Sequence, residues 1–432
     1  MSVLVERRVA RRPLPHLPGH GPGGTVRAVG LGVITGAADD DPSAIGTYAS
    51  AGALFGTGVL WAAPALLPLM AVTVYMAAKL GQVSGQGLAA AIRARYPRGV
   101  LAAVVLLLVI GNTIEAGADL GGIAASVRLL LPVPELAVIG VTAGGILALQ
   151  IFGSYRWIRR VFRWLALALL AYAGAAILAH PPAGEVVRAT LWPRGPFGRA
   201  YWTMVMAMIG TSLSPYLFVW QASHEVEEDV SLGRRRLSDR KGTTAAHLRA
   251  TAWDVMLGMF FTTLVMYFIL LAAAATLYPA GLHHIQSAAE AARALQPLAG
   301  PAAGALFAAG VIGAGMLAVP VMTVGAAYVG CEAMGWKSGL SARPREAREF
   351  YAVIAAVTAA AVGINLAGVN PMRALVGAGL VQGALAPVLI LLLILLTGDA
   401  KVMGPWRNRR AVRWLGWLTF ALTTAAVARA VV

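Results

Sequence analysis

Apolar residues run along this chain in long blocks, and polar residues collect between the blocks rather than alternating with them. A helix needs about 20 mostly apolar residues to cross the hydrocarbon core of a bilayer. Eleven blocks approach or exceed that length: Val29–Phe55, Val59–Lys79, Val100–Leu131, Leu136–Phe152, Val161–Ala179, Tyr201–Ser223, Trp253–Leu277, Gly304–Tyr328, Phe350–Leu366, Ala374–Leu396 and Trp414–Val431. The third is longer than one straight crossing needs, which predicts tilt or extension into the outer interface. Soluble β-sandwiches and α/β enzymes show shorter runs broken by turns. The pattern predicts an all-α integral membrane bundle, a single transmembrane domain over residues 28–432. Residues 1–27, rich in Arg and Pro, lack the apolar stretch of a secretory signal and read as a cytoplasmic tail.

Two blocks carry a break. The first reads Gly36-Ala37-Ala38-Asp39-Asp40-Asp41-Pro42-Ser43-Ala44, the sixth Gly210-Thr211-Ser212-Leu213-Ser214-Pro215-Tyr216. A mid-helix Pro removes a donor and clashes with the preceding turn, which frees carbonyls. Lipid tolerates bare backbone only where it lines a protein cavity. Both prolines are followed at the same offset by Ala-Ser, at Ala49-Ser50 and Ala222-Ser223. Paired interrupted helices in two halves point to an inverted-repeat transporter with its site at the repeat interface; kinks that serve packing alone are the other reading. The halves would be residues 28–180 and 200–397, five spans each, with 409–432 as an extra helix. The charged loop Glu225 to Arg249 lies within the second half, just after the sixth span.

The formal charge of +16 invites a nucleic-acid reading, but its distribution argues against one. With the N-terminus inside, 28 of the 35 Lys and Arg fall in cytoplasmic segments and seven in outer ones. That is the bias expected of an inner-membrane protein with its N-terminus in the cytoplasm and, after an odd number of spans, its C-terminus outside. Cys331 is the single cysteine, so no internal disulfide or thiolate metal site is available and it reads as a small apolar filler.

The acidic residues suggest the substrate. A carboxylate inside a span is costly unless it meets a cation or a partner. Asp41 lies at the first break beside freed carbonyls, and that grouping of charge and oxygen dipoles suits a hard cation. Asp39 and Asp40 read either as charges on the way in or as a solvated cap. Glu115 and Asp119, four apart on one helix face, read as lining an aqueous cation path or as hydrogen-bonded to a neighbouring span. Asp254 reads as a cap or ion-pair partner of Arg249 at the start of the seventh span, and His224 as an interfacial residue. Gly310, Gly313, Gly315 and Gly325 read as close-packing positions, and Trp61, Trp192 and Trp414 as interface anchors.

Asp41-Pro42-Ser43-Ala44 followed by Gly52, Gly56 and Trp61 resembles the first-helix signature of the NRAMP divalent-metal transporters, whose motif is Asp-Pro-Gly-Asn. Ser214-Pro215-Tyr216 stands where that family carries Met-Pro-His. The half-kept motifs look like the divergent NRAMP-related branch that includes magnesium and manganese transporters. The resemblance implies a LeuT-like fold and alternating access. It implies an ion held by the Asp41 carboxylate and the Thr211 carbonyl, with Ala44 and Ser214 at the family's Asn and Met positions and Gln382 close by. The missing thioether removes a soft ligand, and an all-oxygen site with room for water suits Mg²⁺ or Mn²⁺. The family's sixth-helix histidines fall at Tyr216 and Gln221, which do not titrate near neutrality, and the ninth span lacks a basic relay. Uncoupled, gradient-driven transport is therefore expected.

The implied partners are a divalent metal ion, as substrate, and the lipid bilayer. No nucleic acid and no resident cofactor are expected, and a monomer suffices. An amine or amino-acid carrier of the same fold and a proton-coupled transition-metal transporter are the alternatives. His283-His284 lacks the His-Glu-x-x-His spacing, and no Gly-x-Ser-x-Gly or Walker loop occurs, so an enzyme is not expected.

Overall fold

The structure, a computed structural model, describes residues 36, 39–152, 167–340 and 342–431. The expected tail and most of the first half of the first span lie outside the described residues. So does the beginning of the fifth span.

The described chain is helical throughout. The longer helices are α1 (Pro42–Phe55), α2 (Ala62–Ser84), α3 (Leu88–Arg95), α4 (Arg98–Arg128), α5 (Glu135–Phe152), α6 (Ala171–Leu178), α7 (Ala183–Leu191), α8 (Arg199–Ser212), α9 (Pro215–Ser231), α10 (Ala245–Thr276), α11 (Ala303–Met334), α12 (Arg348–Asn365), α13 (Pro371–Gly398) and α14 (Arg410–Val431). Among the described residues eight helical stretches are long and apolar enough to cross a membrane, with α8 and α9 counted together. α12 falls outside that set because Arg348, Glu349 and Asn365 at its ends shorten its apolar run.

Burial sorts the helices into centre and rim. The α8–α9 stretch is 83% buried, whereas α5 and α14 are only 22% buried. A helix apolar all round and buried all round belongs at the middle of a bundle. The two interrupted helices pack against one another there, with α4, α10 and α13 around them.

Small residues permit that packing. Gly210 lies so close to α13 that a Cβ would meet the carbonyl oxygen of Gly379 and the amide of Gly383. Gly315 on α11 faces Ile123 and Pro42 in the same way, as its sequence context suggested. At the end of α1, Gly56 adopts φ 56° while its N–H caps Gly52, a left-handed turn that glycine enters without strain.

Several boundaries differ from the sequence expectation. The helix expected to start at Trp253 begins at Ala245, where the Thr244 hydroxyl accepts from the His247 amide at 3.2 Å. Asp254 is therefore inside α10, not at its start, and is not the cap. The charged loop is shorter than expected. α9 runs on to Ser231, held by Gln221 donating to Glu225 at 3.1 Å, and Asp229 pairs with Arg234 at 2.7 Å beyond it. α2 ends at Ser84 rather than Lys79, where Gly85 at φ 65° closes it onto Gly81. Trp192 and Trp414 are exposed as expected, while Trp61 is half-buried and donates to the Tyr201 hydroxyl at 2.7 Å.

The Gly210 contact yields a test. Gly210→Val forces two backbones apart and is expected to destabilise by about 1–3 kcal/mol, as overpacking does. Gly377→Ala on the same α13, where nothing lies within 4 Å, serves as control. Melting curves in detergent should show a lowered midpoint for the first variant only.

Candidate ion site at the two helix breaks

The first break is built by Asp41. Its backbone is extended (φ −71°, ψ 172°), and Pro42 opens α1 directly after it. Proline suits this position because the first turn of a helix has no partner for its amide. The Asp41 carboxylate caps the helix, with Oδ1 accepting from the Ala44 amide at 2.6 Å. Oδ2 accepts from the Tyr216 hydroxyl at 3.1 Å. That contact spans 175 residues and joins the first break to the second.

The second break lies at Leu213 and Ser214, between α8 and α9. The Ser214 hydroxyl reaches back to the carbonyls of Gly210 and Thr211, 3.0 Å from each. The Thr211 side chain is occupied by the carbonyls of Ala207 and Met208. Tyr48 from α1 and Ser212 from α8 share a hydrogen bond of 2.8 Å across the gap. The two unwound segments thus face each other and place a carboxylate, freed carbonyls and hydroxyls in one interior.

α4 contributes two further carboxylates. Asp119 Oδ1 accepts from both the amide and the hydroxyl of Ser43, at 3.0 and 2.7 Å. Asp41 and Asp119 therefore divide the free amides at the start of α1 between them, where the helix dipole favours negative charge. Glu115, one turn away, accepts from the Gln382 side chain. On the other side, Thr262 of α10 donates to Asp40 Oδ1 at 2.8 Å and approaches Asp39 Oδ2 at 3.4 Å.

All five carboxylates are fully buried. Among the described residues no Lys, Arg or His forms an ion pair with any of them. Asp39 Oδ1, Asp40 Oδ2, Glu115 Oε1, Asp119 Oδ2 and Gln382 Oε1 have no hydrogen-bond partner among the described residues. Buried acceptors without donors are costly, and a cation supplies what such oxygens lack. Among the described residues no three His, Cys, Asp or Glu side chains converge as a ready-made cage; the carboxylates form a string with Asp41 in the middle.

Of the residues singled out in the sequence, Asp41, Ala44, Thr211, Ser214 and Tyr216 sit together at the breaks. Asp39, Asp40, Glu115, Asp119 and Gln382 flank them. Asp39 and Asp40 are not a solvated cap, since both are wholly enclosed. Gln221 stands apart, in a second polar group where Gln82 donates to Glu225 at 2.8 Å and to Thr251 at 2.6 Å. Sequence reasoning missed Ser43 and Thr262 as holders of the carboxylates, and the buried Asn112. Asn112 lies three positions before Glu115, on the same face, so helical spacing could have revealed it. His283 lies 3.1 Å from the carbonyl of Ala53, outside the site, and Cys331 is buried and free.

Comparison with known proteins gives the family. Residues 32–432 match the family described as Nramp, natural resistance-associated macrophage protein-like. The divalent metal cation transporter MntH of Mycobacterium tuberculosis is 28% identical over 391 residues, covering 89% of this chain and 86% of that protein. MntH of Deinococcus radiodurans is 27% identical over 419 residues, covering 94% and 90%. The crystal structure of the Eremococcus coleocola manganese transporter superposes with a TM-score of 0.71 at 20% identity, covering 96% and 88%. Mhp1, a nucleobase-cation-symport-1 family transporter in a closed conformation, superposes at 0.56 and 16% identity, covering 93% and 92%. The fold is LeuT-like. The chain is an integral membrane protein of the Nramp transporter family and not an enzyme.

Proposed function

We propose that this protein carries a divalent metal cation, Mg²⁺ or Mn²⁺, by alternating access through a site centred on Asp41. The observation that carries the reading is the enclosed Asp41 carboxylate at one helix break, touched by Tyr216 from the other. A doubly charged cation is the partner that such a carboxylate, surrounded by acceptor oxygens, lacks. The MntH relatives, named for divalent metal cation transport, support the class of substrate.

The donors that face the breaks are oxygens: the Asp41 carboxylate, the Thr211 carbonyl, the Ser214 hydroxyl and the Gln382 amide. Ala44 offers no ligand and leaves space for water. Hard oxygen ligands with retained water suit Mg²⁺, with Mn²⁺ close behind. Asp39, Asp40, Glu115 and Asp119 line the way to and from the site, and Gln221 belongs to the polar group beyond it. The bundle is read as two inverted repeats of five spans, 28–180 and 200–397, with the extra helix at 409–432. The N-terminus would be cytoplasmic, the C-terminus outside, and the protein would act in the plasma membrane.

Transport is read as uncoupled from protons, because Tyr216 and Gln221 occupy the positions of the family's sixth-helix histidines. One observation favours a second reading, proton-coupled metal transport: among the described residues Glu115 and Asp119 are buried with no basic partner, and carboxyl groups in that state can carry protons between the two faces.

Two experiments test these readings. Asp41→Asn keeps a good helix cap but loses the charge. It should keep the wild-type melting temperature while Mn²⁺ affinity by calorimetry falls at least about tenfold, the loss that follows even when a residue merely orients a ligand. Unchanged affinity would sink the site. In proteoliposomes with a trapped pH dye, Mg²⁺ or Mn²⁺ uptake should leave the lumen pH constant and should be outcompeted by the other ion but not by Ca²⁺. Metal-driven acidification would decide for proton coupling.

A further inference from the structure

Lys79 is the one buried basic residue among the described residues. It lies on α2, one turn before the helix ends, and only 4% of it is exposed. Its ammonium carries three donors. One reaches Asn408 Oδ1 at 3.2 Å, and the charge lies 5.9 Å from the centre of the Tyr75 ring. Among the described residues no carboxylate pairs with it. Asp399, the acidic residue on the same connection, is engaged by Arg95.

The surroundings add positive charge. Asn408 is fixed over the end of α13, its amide donating to the Thr397 carbonyl at 3.1 Å and its side chain to the Thr397 hydroxyl at 2.7 Å. Arg409, the next residue along, is near enough for its charge to act on the Lys79 ammonium. Arg413 follows one helical turn later, its amide bonded to the Arg409 carbonyl at 3.0 Å. The helix register agrees: Gly416 of α14 faces Met76 of α2, so one turn from each, in opposite chain directions, Lys79 and Arg413 come to the same level. Both arginines are exposed. Just beyond them α14 exposes Trp414 (72%), Trp417 (39%), Leu418 (49%) and Leu422 (47%), with aromatic residues at the level of the membrane interface and aliphatic ones deeper.

We propose that Lys79, Arg409 and Arg413 form a binding site for the phosphodiester headgroup of an anionic phospholipid, with the acyl chains lying along the exposed face of α14. Phosphate oxygens accept from the donors of Lys79 that no described residue takes and neutralise a cation held out of water. The arginines supply planar forks for the remaining oxygens. Basic pockets between spanning helices on the cytoplasmic side suit such headgroups. The Trp414 and Trp417 rings lie where the glycerol region would be.

The test uses the full chain purified in an uncharged detergent. Melting temperature and retained lipid by native mass spectrometry are measured with phosphatidylglycerol, phosphatidylcholine, glycerol phosphate and inorganic phosphate. Phosphatidylglycerol alone should raise the melting temperature and survive as a bound molecule. Arg409→Gln with Arg413→Gln, both at exposed positions, should weaken its binding by about 25-fold, at about fivefold per basic residue. Lys79→Met should weaken it further and leave the fold no less stable when lipid is absent. Equal stabilisation by phosphatidylcholine, or unaltered binding by the double arginine variant, would overturn the site. Equal stabilisation by inorganic phosphate would overturn its assignment to lipid.

Discussion

Five carboxyl groups share one enclosed interior, and no basic side chain is paired with any of them among the described residues. The rest of the molecule is arranged around that constraint. Taking a charge out of water costs several kcal/mol unless something replaces the lost solvation. Three replacements are visible. The start of α1 offers its free amides to Asp41 and Asp119. Hydroxyls of Ser43, Tyr216 and Thr262 donate to Asp119, Asp41 and Asp40. The Gln382 amide serves Glu115. Each replacement leaves oxygens over, at Asp39, Asp40, Glu115 and Asp119, so the described residues alone leave the interior incompletely solvated. On the proposed reading a cation completes it, which is what a binding site for a cation means in energetic terms.

These replacements require helices closer together than ordinary side chains allow. Gly210 against Gly379 and Gly383 brings α8 onto α13, and Gly52 brings α1 onto α10 at Leu270. Without bulk between the backbones, the freed carbonyls of the second break reach the level of the first. Small residues at such crossings act through geometry, since in lipid there is no hydrophobic gain from pushing helices together.

Most of the blocks, the two proline positions and the enclosed acid at position 41 were legible in the sequence, because each rests on local chemistry: apolar length, a mid-span proline, a charge in hydrocarbon. The fold followed from those together with the family resemblance. The partners were not legible. Asp41 meets Tyr216 across 175 residues, Asp119 meets Ser43 across 76, and Glu115 meets Gln382 across 267. Nothing in the spacing of either residue in such a pair encodes the other. Asp254 and the Glu225–Arg249 segment were misjudged for a related reason. Charge within a run reads as loop when taken alone, yet α9 and α10 both extend into that segment, and hydrogen bonds from Gln221 and Gln82 satisfy Glu225 there.

On the carrier reading, the way α9 is held matters as much as the site itself. At its start Ser214 makes no side-chain cap and bonds back to α8 instead. Farther along, it is tied to its neighbours by hydrogen bonds from neutral side chains to carboxylates: Gln82 to Glu225, Tyr328 to Glu227, and Ser223 to Glu332. A hydrogen bond to a charged group is worth about 1.5–3 kcal/mol, whereas breaking one side of a buried ion pair costs about 3–5 kcal/mol. Ties of the first kind close one end of the bundle firmly in sum and can still be released one at a time. A transporter that must open and reseal in every cycle needs that combination, and a set of buried ion pairs in the same places would have locked it.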